Sequence, residues 1–327
     1  MNKMYNLLYM YMCMFSAYGF NLLNNIHFMS PDINLTSIVP NIKEDRVILL
    51  DPEFPYLDIY PNGTYTPVYE GIPQRINYTD LRNRTLELFN NTNNTHNLNM
   101  SSYNGYIVLD FEQWRPNWDS LNDVYKNESM TYIYDLYPNK TMNYSMAEQL
   151  AKKSWEYYSL DIMLNTIDTC REVAPFSKIG YYGFPHVSQV GQSPEYKKNN
   201  DMLVDLWKEV DVFLPSLYLT YNSSTNVNHY IYNKIITYKR IKEAYRLQQQ
   251  MNTYGYTDKE IYAYTWYRYH ESPHDLFEYS DFILEYMYPS TFHEVDGLIL
   301  WGNECDPDDD EDTISWFAEY SCMLEQL

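Results

Sequence analysis

The sequence YIVLDFEQWRP, residues 106–116, joins a run of apolar residues to two carboxylates and a Trp-Arg-Pro triplet. A nearly continuous apolar run is typical of a parallel strand buried on both faces, so we predict a strand over Tyr106–Trp114. Residues two apart on a strand point to the same side. Asp110 and Glu112 are therefore expected to face one cavity, with Phe111 turned the other way.

Similar apolar runs recur along the chain and alternate with helical patterns. The further predicted strands are Arg46–Asp51, Lys178–Pro185, Val210–Leu219, Glu260–Tyr269 and Val295–Gly302. The predicted helices are Met146–Val173, His229–Met251 and Asp312–Leu327. The polar stretches Asn90–Ser102 and Asn117–Asn143 are interpreted as surface loops. This alternation predicts an α/β fold, a parallel, TIM-like (β/α) barrel of about seven strands, in one domain over residues 20–327.

A parallel barrel carries its catalytic residues at the carboxyl ends of the strands. Asp110 and Glu112 end one candidate strand, and Tyr182, Tyr218 and Trp301 end later ones. These five residues mark a candidate site at that end of the barrel. Core packing is the alternative for the three aromatic residues, because the chain has 37 Tyr.

Two neighbouring carboxyl groups cannot both ionise easily, so they share protons, and one of them stays available as a general acid. A glycosidase needs such an acid and also a nucleophile on the other face of the sugar. No second carboxylate is evident there, and one solution is that the sugar's own 2-acetamido oxygen attacks. The spacing alone is weak evidence, because Asp-x-Glu recurs at Asp51, Asp258 and Asp309.

Several segments resemble, in order, the animal hyaluronidases, a family of retaining endo-β-N-acetylhexosaminidases on a distorted (β/α) barrel. Residues 110–116 are similar to the family signature Asp-[FW]-Glu-x-Trp-Arg-Pro, the most specific match. The other similar segments are ILLDP at 48–52, GIPQ at 71–74, GYYGFP at 180–185, LPSLYL at 214–219, WYRY at 266–269 and GLILWG at 297–302. In size the chain is closest to the compact arthropod venom-type members.

The resemblance implies an enzyme that hydrolyses hyaluronan or chondroitin by retaining, substrate-assisted catalysis. No metal or cofactor is expected, and the protein is expected to be a monomer. Glu112 would be the general acid and then the general base, and Asp110 would position the acetamido group. The implied substrate-binding residues are Tyr182, Tyr218, Trp301, Arg115 and Tyr267.

The chain also departs from the family pattern. The expected Trp-Asn-x-Pro of the first strand is missing, and either Phe20–Asn24 or the region of Cys13 takes its place. The four cysteines allow one disulfide or two, with the pairing of Cys13, Cys170, Cys305 and Cys322 left open; Cys170, on an apolar helix face, is expected to be a buried free thiol. These departures leave open a catalytically weak or inactive secreted binding glycoprotein. A hydrolase of neutral chitin-type oligosaccharides is a third hypothesis.

The net charge of −21 argues against nucleic acid and anionic membranes as partners. It also opposes a polyanionic glycosaminoglycan, which Arg115, Arg240 and Arg268 could offset locally. For Arg240, on a predicted helix, solvation at the surface is the favoured interpretation. The acidic tract Asp306–Asp312 either opposes an anionic substrate or is a solvated loop or acidic helix start.

Residues 1–19 are typical of a signal peptide, with Lys3, the apolar run Tyr5–Phe15 and a small-x-small site at 17–19. The alternative is a folded first strand that contains Cys13. No later segment is apolar enough to span a membrane. Asn-x-Ser/Thr sequons also favour secretion, and the glycosylation candidates are Asn34, Asn62, Asn77, Asn83, Asn127, Asn139 and Asn222.

Overall fold

The computed structural model describes residues 20–27, 34–44, 46–96, 98–188, 195–292, 294–303, 307–325 and 327. The signal-peptide prediction for residues 1–19 lies outside the described residues, as do Cys13 and Cys305. Cys170 is a buried free thiol, as predicted, and Cys322 is exposed. Across the described ranges, no helix has both the length and the apolar character needed to cross a membrane.

Most strands of the fold run parallel to one another and form a barrel. In chain order the strands are β1 (Asn21–His27), β2 (Ile42–Lys43), β3 (Val47–Leu50), β4 (Tyr56–Ile59), β5 (Tyr65–Val68), β6 (Tyr106–Leu109), β7 (Lys178–Tyr181), β8 (Val212–Phe213), β9 (Glu260–Thr265) and β10 (Gly297–Asn303). The barrel consists of β1, β3, β6, β7, β8, β9 and β10, whereas β4 and β5 form a separate antiparallel hairpin.

The barrel wall is made of two parallel sheets, in the orders β3-β6-β7 and β1-β10-β9-β8, and the two-residue strand β2 pairs with the other side of β1. They meet where Tyr182, directly after β7, bridges to Leu214, directly after β8. Gly180 permits this approach, because a Cβ atom there would lie 2.4 Å from the carbonyl oxygen of Val212. At the other junction, β1 lies beside β3 with no ladder between the residues described. The predicted distorted parallel barrel with seven strands is confirmed, with an open seam between β1 and β3.

The predicted strands extend too far at their carboxyl ends. The strand predicted over Tyr106–Trp114 ends at Leu109, and the one predicted over Val210–Leu219 is only Val212–Phe213. Pro215 lacks the N–H that a regular ladder requires, so regular pairing stops and an isolated bridge, Ser216 to Tyr264, follows. The first strand forms at the Phe20–Asn24 alternative, where β1 pairs along its whole length with β10.

Helices cover the outside of the barrel. They are α1 (Tyr78–His96), α2 (Asp123–Leu136), α3 (Tyr144–Val173), α4 (Tyr196–Asp201), α5 (Val204–Glu209), α6 (Val227–Thr253), α7 (Tyr279–Phe282), α8 (Tyr288–Ser290) and α9 (Pro307–Leu324). The three predicted helices are confirmed as α3, α6 and α9. Because α9 starts at Pro307, most of the acidic tract is the start of a helix.

The interpretation of Asn90–Ser102 and Asn117–Asn143 as loops is wrong for much of both stretches. The first contains the last turns of α1, and the second contains all of α2. Tyr125, Met130 and Ile133 of α2 are buried on one face of the helix. The segment is otherwise mainly polar, so its composition did not indicate a helix packed on the core. A few well-placed apolar residues are enough to fix a helix against a core.

Alternate residues of β6 belong to two different cores. Ile107 and Leu109 pack in the outer core between barrel and helices, whereas Tyr106 and Val108 fill the barrel interior. The alternation continues beyond the strand, so Phe111 is buried in the outer core. Asp110 and Glu112 therefore point toward the mouth of the barrel, as their spacing predicted.

The predicted glycosylation sites lie mainly at the surface. Asn222 is partly buried, and its side chain accepts a hydrogen bond from the backbone N–H of Ser224. The exposed sites are Asn34, Asn62, Asn77, Asn83, Asn127 and Asn139.

Candidate active site

A cavity of about 280 Å³ opens at the carboxyl ends of the barrel strands. Five of the residues predicted for the site line it, namely Asp110, Glu112, Tyr182, Tyr218 and Trp301. The other lining residues are Leu49, Tyr264, Trp266, His270 and Pro273. The five predicted residues, from four separate parts of the sequence, thus come together where the barrel architecture predicted a site.

Aromatic packing beneath the cavity holds the loop that carries the two carboxylates. Trp114 is buried, and its indole N–H donates a hydrogen bond to the carbonyl of Pro55 (2.7 Å). The ring of Phe111 lies 4.9 Å from that of Trp114 and 4.8 Å from that of Phe54, measured between centroids. The Trp of the Trp-Arg-Pro triplet thus fixes the loop from behind and makes no contact with the cavity.

The carboxyl group of Asp110 has an unusual protonation equilibrium. Burial raises its pKa to about 7, and the negative charges of Glu112 and Asp51 add to the rise, while Arg115 opposes it. Its Oδ1 atom has no hydrogen-bond partner among the described residues. A carboxyl group with this pKa gains and loses its proton near neutral pH. It can therefore ionise when a positive charge develops on a bound substrate.

Three aromatic side chains form one side of the cavity, which we call the aromatic wall: Tyr218, Trp266 and Trp301. The rings of Tyr218 and Trp301 are stacked with centroids 5.7 Å apart, and Trp266 meets Trp301 edge-on at 5.4 Å. Tyr182 completes the cavity next to this wall, with its hydroxyl donating to Ser216 Oγ (3.2 Å). Flat apolar faces bordered by hydroxyl groups suit the ring of a sugar.

A second cavity of about 150 Å³ adjoins the first and shares Glu112, Tyr182 and His270 with it. We call it the cationic recess because two arginines, Arg115 and Arg240, line it. The other residues that line it, and not the first cavity, are Gly183, Pro185, His186, Val187 and Ser216. Nη1 of Arg240 donates to the carbonyl oxygen of Ser216 (2.6 Å). The favoured interpretation of Arg240 as a solvated surface residue is wrong, because its position on α6 faces the barrel end.

Arg115 contributes a positive charge that the protein leaves available. Its guanidinium lies 5.3 Å from the ring centroid of Phe184, and its Nη1 has no hydrogen-bond partner within the described part of the chain. Burial, together with the charges of Arg115 and Arg240, lowers the pKa of His186 to about 3. His186 is therefore neutral at physiological pH, and the two arginines supply the positive charge of the recess.

Two residues proposed from the sequence lie elsewhere. Tyr267 is fully buried in the outer core against Trp316 and Phe317 of α9, so its assignment to substrate binding is wrong. Arg268 is also buried, with its guanidinium donating to the carbonyl of His274 (3.2 Å), and does not offset charge in the cleft. Tyr267 continues the alternation of β9 beyond its end, on the side of Ile261 and Ala263, which face the outer core. The same alternation in the sequence predicts this position.

The polar and aromatic lining residues that the sequence analysis did not propose for binding include Tyr264, Trp266 and His270. Arg240 of the recess was named there, but with a surface position as the favoured interpretation. Tyr264 and Trp266 alternate along one strand just as Asp110 and Glu112 do, and that signal was available in the sequence. His270 carried no such signal, because it lies in the loop beyond β9. Its place depends on its backbone N–H, which donates to the carbonyl of Leu219 (3.1 Å).

A parallel barrel with adjacent carboxyl groups above an aromatic sugar-sized cavity defines a glycoside hydrolase of the (β/α)-barrel class. The sequence model of the family described as Hyaluronidase, glycoside hydrolase family 56, matches residues 52–320. The chain belongs to this family of enzymes.

Individual relatives show the same likeness. The hyaluronidase of Apis mellifera is 30% identical over 278 residues, which are 80% of this chain and 68% of that protein. Hyaluronidase B of Vespa velutina is 28% identical over 285 residues, 81% of this chain and 79% of that protein. The crystal structure of bee venom hyaluronidase in complex with a hyaluronic acid tetramer superposes with a TM-score of 0.74 at 25% identity, covering 92% of this chain and 95% of that one.

Proposed function

We propose that this protein is an endo-β-N-acetylhexosaminidase that cleaves hyaluronan by a retaining, substrate-assisted mechanism. The observation that carries the proposal is the meeting of Asp110 and Glu112 in one cavity beside the aromatic wall. The relative crystallised with a hyaluronic acid tetramer supports the choice of substrate. Chondroitin, which has the same alternation of acetamido sugar and uronate, is the second expected substrate.

In the proposed reaction the acetamido sugar occupies the 280 Å³ cavity against Trp301. Glu112 gives its proton to the glycosidic oxygen as the bond to the anomeric carbon breaks, and the 2-acetamido oxygen forms a bond to that carbon. The ring so formed carries positive charge, which the ionised carboxylate of Asp110 stabilises. Glu112 then takes a proton from the water that opens the ring, which restores the starting configuration.

Substrate assistance is favoured by what lines the cavity. Among the described lining residues, Asp110 and Glu112 are the carboxylates, and they stand two residues apart on one loop. A retaining pair of acid and nucleophile flanks the sugar from two sides. Two carboxylates on the same loop cannot do so easily, whereas the acetamido oxygen is already in place next to the anomeric carbon.

The cationic recess is proposed to bind the uronate that follows the acetamido sugar. A chain with a net charge of −21 repels a polyanion at a distance, but salt screens that repulsion beyond about 8–10 Å. Arg115 and Arg240 act within that range, on the sugar next to the bond that breaks. Local charge, and not the charge of the whole protein, then decides whether an anionic polymer binds.

Arg240→Gln is expected to raise KM for hyaluronan about tenfold at low salt, because one of the two recess charges is lost. The dependence of KM on salt concentration should weaken as well. The matched control is Lys239→Gln, which removes the same charge from the neighbouring position of α6 and lines neither cavity. Equal KM values for the two variants would contradict the assignment of the recess to the uronate.

We also propose that the protein is secreted and carries N-glycans. Residues 1–19 supply the expected signal, and six of the seven candidate asparagines are exposed. The related bee protein, described as a venom hyaluronidase, fits the same location. A shift in mass after enzymatic removal of N-glycans from protein expressed through a secretory pathway is the expected result.

Product analysis of the purified protein tests the proposed activity. We expect hyaluronan, and more slowly chondroitin, to be cut into short oligosaccharides, with chitin oligomers left intact. Release of products from chitin alone would favour the hydrolase of neutral oligosaccharides. No product from any of the three substrates between acidic and neutral pH would favour the binding glycoprotein.

A further inference from the structure

A buried carboxyl group lies behind the aromatic wall, in a part of the chain that the mechanism does not use. Glu285 is fully buried, and it belongs to a π-helical turn, Ile283–Met287, between α7 and α8. The π-helical geometry is rare and is found mostly as single turns, often at functional sites. A buried acidic side chain in such a turn needs partners, because an unpaired carboxylate is costly inside a protein.

The partners of Glu285 are two backbone N–H groups from different loops. Its Oε1 accepts from the N–H of Trp266 (2.8 Å), and its Oε2 accepts from the N–H of Leu219 (3.2 Å). Trp266 belongs to the aromatic wall, and Leu219 directly follows Tyr218 of the same wall. The Glu285 carboxyl group therefore joins the loop after β8 to the loop after β9, in addition to the direct backbone bond from His270 to Leu219.

This link replaces a missing strand ladder. Regular pairing between β8 and β9 ends at Phe213 and Ile261, and one isolated bridge, Ser216 to Tyr264, follows. Beyond it no regular ladder forms, and the loops meet again where the N–H of His270 donates to the carbonyl of Leu219 (3.1 Å) and the N–H of Glu271 donates to that of Thr220 (3.1 Å). Between the bridge and these contacts, the rings of Tyr218 and Trp266 lie 5.9 Å apart in the wall. The Glu285 carboxyl group supplies acceptors for backbone donors that would otherwise be unpaired in a buried place.

Asp281, four residues earlier, has the same kind of role but does not reach the cavity. Its Oδ2 accepts from the N–H of Ser223 (3.0 Å) and from the hydroxyl of Tyr269 (2.7 Å). Neither of these partners lines the cavity or the recess. Burial is complete for both acids, so Asp281 is a close structural match to Glu285 without its contact to the wall.

We infer that Glu285 is a positioning residue for the enzyme: it holds the main chain at Leu219 and Trp266, and thereby sets the spacing of Tyr218 and Trp266 for binding of the acetamido sugar. The inference rests on the proposed function and adds a specificity-determining residue outside the cavity. The substrate class is unchanged, an oligosaccharide with an N-acetylhexosamine ring against the wall.

Kinetic and binding measurements on Glu285→Gln and Asp281→Asn test this inference. The amide in Glu285→Gln keeps one acceptor oxygen but presents N–H groups to the other backbone donor, so the wall should shift. We expect KM for hyaluronan to rise about five- to tenfold with a smaller change in kcat. Asp281→Asn should lose comparable thermal stability while its KM stays within about twofold of the parent.

Affinity for a hyaluronan tetrasaccharide, measured calorimetrically in a Glu112→Gln background, gives a readout without turnover. Addition of Glu285→Gln is expected to weaken Kd by about the same five- to tenfold. If the parent enzyme is active and the Glu285→Gln variant keeps the parental KM and Kd, the inference about Glu285 is overturned while the proposed function stands. Equal rises in KM for both variants would overturn it too, because they would indicate a merely structural role. A parent that neither cleaves nor binds hyaluronan would overturn the proposed function and the inference with it.

Discussion

Glu112→Gln is expected to lower kcat for hyaluronan about 10³-fold, with KM changed little. Glutamine occupies nearly the same volume as glutamate but cannot give a proton to the leaving oxygen or take one from water. Because the aromatic wall and the cationic recess do not depend on this proton, binding should survive. The measurement is the initial rate of reducing-end formation at saturating substrate, compared with parent enzyme of the same purity.

The chain offers a matched control for this variant. Asp51-Pro52-Glu53 follows β3 as Asp110-Phe111-Glu112 follows β6, with the same spacing of carboxylates. Glu53 lines neither the cavity nor the recess, so Glu53→Gln should keep parental kcat. Substantial turnover by Glu112→Gln, or an equal loss in Glu53→Gln, would remove Glu112 from the role of proton donor.

Asp110→Asn is expected to lower kcat about 10²-fold and, at neutral pH, to make the protein more stable. The loss of activity follows because a neutral amide stabilises the positive charge of the intermediate less than a carboxylate does. The gain in stability follows from the pKa of Asp110, which lies near 7 in the folded protein against 3.8 for an ordinary aspartate. Folding this carboxyl group at neutral pH has an energetic cost that asparagine avoids.

The sign of the pH dependence is fixed by the raised pKa. At pH 4 the group is still protonated in the folded chain and about half protonated in the unfolded chain, so the substitution should have only a small effect on the free energy of unfolding. As pH rises toward 7 the unfolded chain loses its proton first, so the parent is progressively destabilised, by at most ~4 kcal/mol. Urea unfolding of parent and variant at pH 4 and pH 7.5 checks this, and a stability difference independent of pH would contradict it.

Local periodicity predicted much of the fold and site. A period of two along β6 placed Asp110 and Glu112 on the inner side and Phe111 in the outer core, because both faces of a barrel strand are buried by different partners. The same period applied to β9 would have excluded Tyr267 and selected Trp266. Tyr267 lies in a segment that resembles the family, but the strand geometry turns its side chain into the outer core.

The remaining features depend on contacts between distant parts of the chain. Arg240 looked like a surface residue because a polar helix does not reveal which side meets the end of a barrel. Glu285 carried no sequence signal, since its partners are backbone N–H groups whose positions depend on two loops. α2 was overlooked because three buried side chains decide its place while its polar residues dominate the composition.

The sharing of Glu112 between the cavity and the recess has a consequence for the size of the products. In the proposed reaction the bond that breaks lies at this junction, with an acetamido ring in the cavity and an acidic ring in the recess. In a polymer where these rings strictly alternate, a shift by one sugar would press a carboxylate against Trp301 and leave the arginines without a counter-ion. The polysaccharide can therefore bind only in positions that differ by two sugars. Every fragment should then contain an even number of sugars and end in a reducing N-acetylhexosamine.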